Sequence, residues 1–283
     1  MRTLPCPSRD EAQAHLLRAI ETYVHAGISK GYAASQAEID NVIAIYDAYD
    51  AGLGVPSEAL KGGELLQQLR DAIYSGYDFT QTGGKLASIR STLMAGVELC
   101  PICGIAPPRQ LDHHLPRSDY RPLAVYSRNL VPLCQECNQS KSKSAADEPA
   151  QQFFHPYLEN IPDALFLRAG VAIEGGGLIA TFDIDPAAPI QPLVRERLSF
   201  VLQRLKLNER YAREINIYLT SQATAVRMVF GSAGADGVRG YLLAQADVES
   251  RQFHLNHWRP VMLRALAAHA GFCNGEFAAV LPA

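Results

Sequence analysis

The sequence predicts an α+β protein, and three observations predict it. Apolar residues recur at helical spacing through residues 8–95. A cysteine-bracketed stretch at 100–143 holds two short β-like runs and a helical turn. Beyond it, Gly175-Gly176-Gly177 joins two strand-like segments ahead of further amphipathic helices. The chain therefore reads as a helical N-terminal region (1–95), a central segment (96–147) and a C-terminal α+β region (148–283).

In the first region, Ser8-Arg-Asp-Glu11 has the spacing of a capping box, and Leu16, Ile20, Tyr23 and Val24 continue one helical face to Gly27. Ser35-Gln-Ala-Glu38 is a second such box, followed by Ile39, Val42, Ile43, Tyr46 and Tyr49 before Gly52. Leu65, Leu66, Leu69 and Ile73 mark a third helix, and Leu86, Ile89 and Leu93 a fourth. No chemistry is expected here: His15 and His25 have no partner at ligand spacing, and Tyr46 and Tyr49 read as core edge rather than as a base-stacking platform.

Cys100-Pro-Ile-Cys103 and Cys134-Gln-Glu-Cys137 have the spacing of a closed four-sulfur zinc site. Disulfides are the competing reading, but i,i+3 cysteines usually mean metal, and a knuckle's two sulfurs are badly placed to bond each other. With sulfur in every tetrahedral position the zinc would be a staple for a core-poor segment, and the chemistry would lie elsewhere.

Inside the bracket, Leu111-Asp112-His113-His114-Leu115-Pro116, Asn129-Leu130-Val131-Pro132-Leu133-Cys134 and Cys137-Asn138-Gln139-Ser140-Lys141 resemble the HNH endonuclease family. The resemblance is to the branch whose ββα-metal motif is clamped by two Cys-x-x-Cys knuckles, and it is confined to residues 100–143. It implies that Asp112 is the first ligand of a catalytic ion, His113 the general base, Asn129 the residue that orients it, and Asn138 the second ligand. The namesake pattern ends in histidine where this chain has Asn138. The implied activity is endonucleolytic hydrolysis of DNA. A role as effector in a bacterial antiphage or restriction system, switched on by a protein partner, is implied more loosely.

The residue chemistry is compatible with that activity. A neutral imidazole can take a proton from water near pH 7, and a hard cation can polarise a phosphate and stabilise a departing oxygen. Asp112 and Asn138 offer oxygen ligands only, which suits Mg²⁺ or Mn²⁺ rather than zinc. Asn129 is expected to accept from Nδ1–H of His113 and leave Nε2 for the water. His114 is the competing base; adjacent strand residues point to opposite faces, so one of the two faces the ion. The strands are expected at Arg109–Asp112 and Leu130–Leu133, and the helix from Gln135 to about Ser144.

A net charge of −3 does not announce a nucleic-acid binder, but its distribution is uneven. Residues 109–143 carry Arg109, Arg117, Arg121, Arg128, Lys141 and Lys143 against Asp112, Asp119 and Glu136, an excess of +3 that leaves −6 elsewhere. Lys141 and Lys143, then Arg117 and Arg128, are the expected phosphate contacts. No apolar run is long enough to span a bilayer, and Met-Arg-Thr-Leu-Pro-Cys is too short and polar for a signal peptide. A cytoplasmic protein is expected, with Cys6 and Cys273 as free thiols.

Past the motif, Ala145–Pro149 reads as a linker or helix end and Phe153-Phe-His-Pro-Tyr157 as an anchor onto the motif. His155 tempts as a ligand, but Pro156 favours a turn. A hairpin (165–174 and 178–185) leads to helices at Val194–Leu205 and Tyr211–Phe230, a loop at Gly231–Gly237, and a last helix capped by Asn256. These stripes read as core, with partner or substrate binding the only role left open to the region. The alternative for the whole chain is a zinc-stapled nucleic-acid- or protein-docking module without catalysis.

Overall fold

The computed structural model describes residues 1–141 and 148–282. Its contacts separate two units, Arg2–Ile161 and Pro162–Ala283. Both the helical region expected over 1–95 and the cysteine-bracketed segment belong to the first. Among the described residues no helix is long and apolar enough to cross a membrane.

The first unit opens with helix α1 (Ala12–Ile20), whose start carries no side-chain cap. The expected box at Ser8 does not form, because Ser8 Oγ accepts from Asp10 N at 3.1 Å in a tight turn upstream. The helix also stops before Tyr23 and Val24. These residues enter a small antiparallel hairpin, β1 (Tyr23–His25) and β2 (Ile28–Lys30). Ala26 and Gly27 turn it at φ +50° and +76°, and the aromatic and β-branched residues around them favour extended backbone.

Helix α2 (Gln36–Ala51) begins at the second capping box, and here both reciprocal bonds are present between Ser35 and Glu38. Helices α3 (Gln67–Gly76) and α4 (Ala87–Met94) follow as the apolar spacing predicts. Leu16, Val42, Leu69 and Ile73 are fully buried where these helices meet, each contributing about 1.5–3 kcal/mol. Tyr46 stacks on Tyr126 at 4.0 Å between ring centroids, so the α2 tyrosines pack against the central motif.

The motif itself is β3 (Gln110–His113) paired antiparallel with β4 (Leu130–Leu133), then helix α5 (Gln135–Lys141). The register sets Gln110 opposite Leu133 and His113 opposite Leu130, one residue later on the first strand than its sequence suggests. The anchor forms as expected: Phe153, Phe154 and Tyr157 are buried, and Tyr157 donates to Leu130 O at 3.0 Å.

The second unit is built on the hairpin β5 (Leu167–Glu174) and β6 (Gly177–Ile184). Gly175 and Gly176 turn it with φ of +56° and +74°, a geometry that explains the glycine run without any phosphate-binding role. Helices α6 (Pro192–Arg204), α7 (Leu207–Gln252) and α8 (Trp258–Ala268) follow, with α8 packed on both α7 and β5, and a short helix α9 (Phe277–Val280) comes last among the described residues. The segment 231–237, expected as a loop, is helical apart from Gly234, whose φ of +61° and ψ of −154° kink α7. Asn256 does not cap α8; that position belongs to His257. Its amide instead accepts from Phe166 N and Leu167 N at 2.8 and 2.9 Å and donates to Ala164 O at 2.8 Å, fixing the entry to β5.

Candidate functional site

The four cysteines converge. Cys100 and Cys103 lie on a knuckle closed by Gly104 N donating to Cys100 O at 2.9 Å, and Gly104 takes a φ of +64° that favours glycine. Cys134 and Cys137 flank the start of α5, where Asn138 N donates to Cys134 O at 3.0 Å. All four are buried, and their sulfurs lie within 4.8 Å of one another. Cys103 and Cys134 Sγ are 3.7 Å apart. Tetrahedral zinc with bonds of about 2.3 Å needs sulfur–sulfur edges of about 3.8 Å, so the donor set can hold such an ion. The N-terminus braces the first knuckle, where Arg2 N donates to Pro101 O at 2.8 Å, and it also ties to the anchor segment, where Leu4 N donates to Pro156 O at 2.8 Å.

Beside this cluster is a cleft of about 370 Å³ whose lining includes Tyr74, Asp112, His113, Arg117, Ser118 and Asn138. Three of the four residues singled out for catalysis therefore share one cavity. Asn138 donates through Nδ2 to Gln110 Oε1, which directs its other amide atom, Oδ1, away from that bond and available as an oxygen ligand. Asp112 and Asn138 supply oxygen donors only, a set suited to a hard cation.

His113 is held differently from the sequence-based expectation. Its Nε2 is 2.9 Å from Ala124 O, and a carbonyl only accepts, so Nε2 carries the proton and Nδ1 has the lone pair. The orienting group is thus the Ala124 carbonyl, not Asn129, and the two ring nitrogens exchange their expected roles. Tyr77 lies against the imidazole at 4.5 Å. Burial pushes the His113 pKa down to about 3, so the ring is neutral throughout the physiological range. His114 takes the other direction and packs on His155 at 4.2 Å between ring centroids.

Asn129, fully buried, organises the segment between the strands. Its Oδ1 accepts from Leu115 N at 2.8 Å and from Tyr49 Oη at 3.0 Å; its Nδ2 donates to Leu115 O and Leu123 O at 3.1 and 3.2 Å. Because Leu123 adjoins Ala124, this amide sets the carbonyl that holds His113, and its influence on the imidazole is indirect. Behind it, Tyr49 Oη is 2.8 Å from His155 Nε2, while His155 Nδ1 accepts from Tyr157 N at 3.1 Å. His155 is therefore a buried structural residue, its pKa also lowered to about 3 by burial. Gly54, at φ +74°, leaves it room: a Cβ there would lie 2.5 Å from His155 Cδ2.

The expected phosphate contacts separate into distinct environments. Arg117 lines the cleft, its guanidinium 4.6 Å from each of the Tyr74 and Tyr77 rings. Arg128 does not present itself to a ligand; it pairs with Asp50 Oδ2 at 2.6 Å and donates to Pro7 O at 3.0 Å. Lys141 is also a correction. Only 3% exposed, it donates to Asp112 Oδ2 at 2.9 Å and His113 O at 2.8 Å, its four-carbon stem having folded inward from α5. Lys143 lies outside the described residues. Sequence reasoning missed Tyr74 and Tyr77, because tyrosines at the end of an amphipathic helix look the same whether they face a core or a cleft.

No family model matches the chain, and no solved structure matches it. It is 25% identical over 198 residues to protein ea31 of Escherichia phage lambda. That alignment covers 65% of this chain and 66% of the phage protein, so about a third of each lies outside it. What the geometry and this likeness establish together is a mixed helix-and-sheet protein with a four-cysteine site able to hold a metal ion, distantly similar to a phage protein.

Proposed function

We propose that this chain is an HNH-type endonuclease that hydrolyses DNA phosphodiester bonds, with His113 as general base and a single Mg²⁺ or Mn²⁺ held by Asp112 and Asn138. The observation that carries the proposal is the convergence of Asp112, His113 and Asn138 on one cleft that Arg117 also lines. The resemblance of residues 100–143 to that family supports it independently of the geometry.

When bound, the ion would supply Lewis-acid polarisation of the phosphate and charge for the departing oxygen. The remaining work falls to the chain. His113, fixed as the Nε2–H tautomer by Ala124 O, accepts the proton of the attacking water at Nδ1. Burial keeps it neutral and ready, and a bound phosphate raises its proton affinity as the reaction proceeds. Arg117, stacked on two tyrosines, is restrained before it meets a phosphate, which reduces the entropy lost on binding. The cysteine cluster holds β4 and α5 so that Asn138 stays opposite Asp112.

Incubation with supercoiled plasmid tests the activity. Nicked or linear product in Mg²⁺ or Mn²⁺, abolished by EDTA, is the expected result. Salt-sensitive DNA binding without cleavage in any divalent ion would favour the second reading, a docking module. The observation favouring that reading is the hold of Lys141 on Asp112, which offsets the charge a cation would need. A setting in antiphage defence or restriction, with an activating protein partner, rests on the resemblance alone.

A further inference from the structure

We propose that Lys141 is a built-in cation that makes binding of the divalent ion depend on the substrate. The inference deepens the nuclease reading and rests on it. Lys141 ends the described part of α5, where a lysine would ordinarily extend into solvent. Its ammonium is instead buried, with one bond to Asp112 Oδ2 and one to His113 O. A buried lysine is retained only with such partners, and Asp112 is the carboxylate within its reach.

The charge count gives the consequence. Asp112 contributes −1 to the cleft and Lys141 returns it to zero, and the Asn138 amide carries no charge. Arg117 adds positive charge at the wall and has Asp78 Oδ1 at 3.4 Å as an ion-pair partner. Such a cleft has orienting oxygens but almost no net field to hold a dication. A phosphodiester brings the missing negative charge, so the ion and the nucleic acid bind together more tightly than either binds alone. Lys141 also fixes Asp112 in place, leaving Oδ1 as its second oxygen. It acts through Asp112 and is a positioning residue.

Mn²⁺ binding to the full-length protein, read by electron paramagnetic resonance of the free ion, tests this without turnover. Lys141→Met keeps the length of the stem and removes the charge. It should bind Mn²⁺ about tenfold or more tightly in the absence of DNA. Lys141→Arg, which keeps the charge, should bind as weakly as the wild type. An affinity of Lys141→Met equal to or below the wild type, with Asp112→Asn still weakening wild-type binding, would overturn the Lys141 inference alone. Tight binding by Lys141→Met that survives added Asp112→Asn would place the ion elsewhere and overturn the ligand assignment as well. If Lys141→Met does not fold, a non-cleaving protein that keeps Lys141 decides the matter. A short DNA duplex added to the His113→Ala protein in Mn²⁺ should raise ion affinity by about tenfold; tight binding without DNA, or no change on adding it, would contradict the proposal.

Discussion

His113 Nε2 and Ala124 O lie 2.9 Å apart, and that single hydrogen bond fixes which nitrogen of the imidazole can accept a proton. Asn129 governs it from one step away, by bonding Leu123 O beside Ala124. The histidine is thus oriented by a loop whose shape is imposed by one buried amide.

That amide makes four hydrogen bonds, and its removal should be costly. Asn129→Ala is expected to destabilise the first unit by about 3–5 kcal/mol, because Leu115 N, Leu115 O and Leu123 O lose partners inside the protein. Tyr49→Phe, which deletes one donor to Asn129 and keeps the ring, should cost about 1–2 kcal/mol. Denaturant unfolding followed by amide exchange in β4 measures both. Equal costs would mean that the amide does not organise the loop.

Burial of neutral His113 and His155 predicts acid sensitivity. Both pKa values are lowered to about 3 in the folded chain, against about 6.5 unfolded, so below pH 6.5 the unfolded state binds more protons. Stability is then complete above that pH and falls as the pH drops toward 3. Between pH 7.5 and 5.5 the two histidines together should remove about 2–3 kcal/mol. Amide exchange of β3 and β4 at the two pH values checks this, and unchanged protection would contradict the burial assigned to the rings.

The cysteine cluster should carry one zinc ion per chain by elemental analysis. Cys103→Ser or Cys134→Ser should lose it and unfold much of the first unit, since structural zinc in small sites is worth about 10–16 kcal/mol of folding free energy. A metal-free variant with unchanged melting would show that the cluster is not a staple.

Arg117 and Arg128 should separate cleanly. Arg117→Ala is expected to weaken DNA binding and reduce the magnitude of the salt slope by about one, because its guanidinium lines the cleft. Arg128→Ala should leave that slope alone and lower stability, because it takes the ion-pair partner from Asp50, only 16% exposed, and leaves that carboxylate with the Tyr126 hydroxyl as its remaining donor among the described residues. Titration of a DNA duplex at several salt concentrations distinguishes them.

How far the sequence could be read depended on whether a residue's role is local. The cysteine pairs, the Ser35 capping box and the Gly175-Gly176 turn act within a few positions, and the spacing of the residues is enough to recognise them. The choice of His113 over His114 agrees with strand alternation, since His113 lines the cleft and His114 packs on His155. What stayed hidden was set by partners distant in the chain. Asn129 bonds Tyr49 across 80 positions, and Arg128 finds Asp50 across 78. Lys141 looked like a phosphate contact because nothing near it in the sequence shows that its stem turns inward to Asp112. The hairpin at Tyr23–Lys30 is hidden because Leu16, Ile20, Tyr23 and Val24 also fit a helical face, and Gly27 suits the end of a helix as well as it suits a turn.

The most direct test of the central claim compares His113→Ala with His114→Ala on supercoiled plasmid in Mn²⁺, with both proteins shown to be folded. Loss of cutting in His113→Ala with substantial activity in His114→Ala is the predicted result. Persistent cutting by His113→Ala would contradict the assignment of this imidazole as the base.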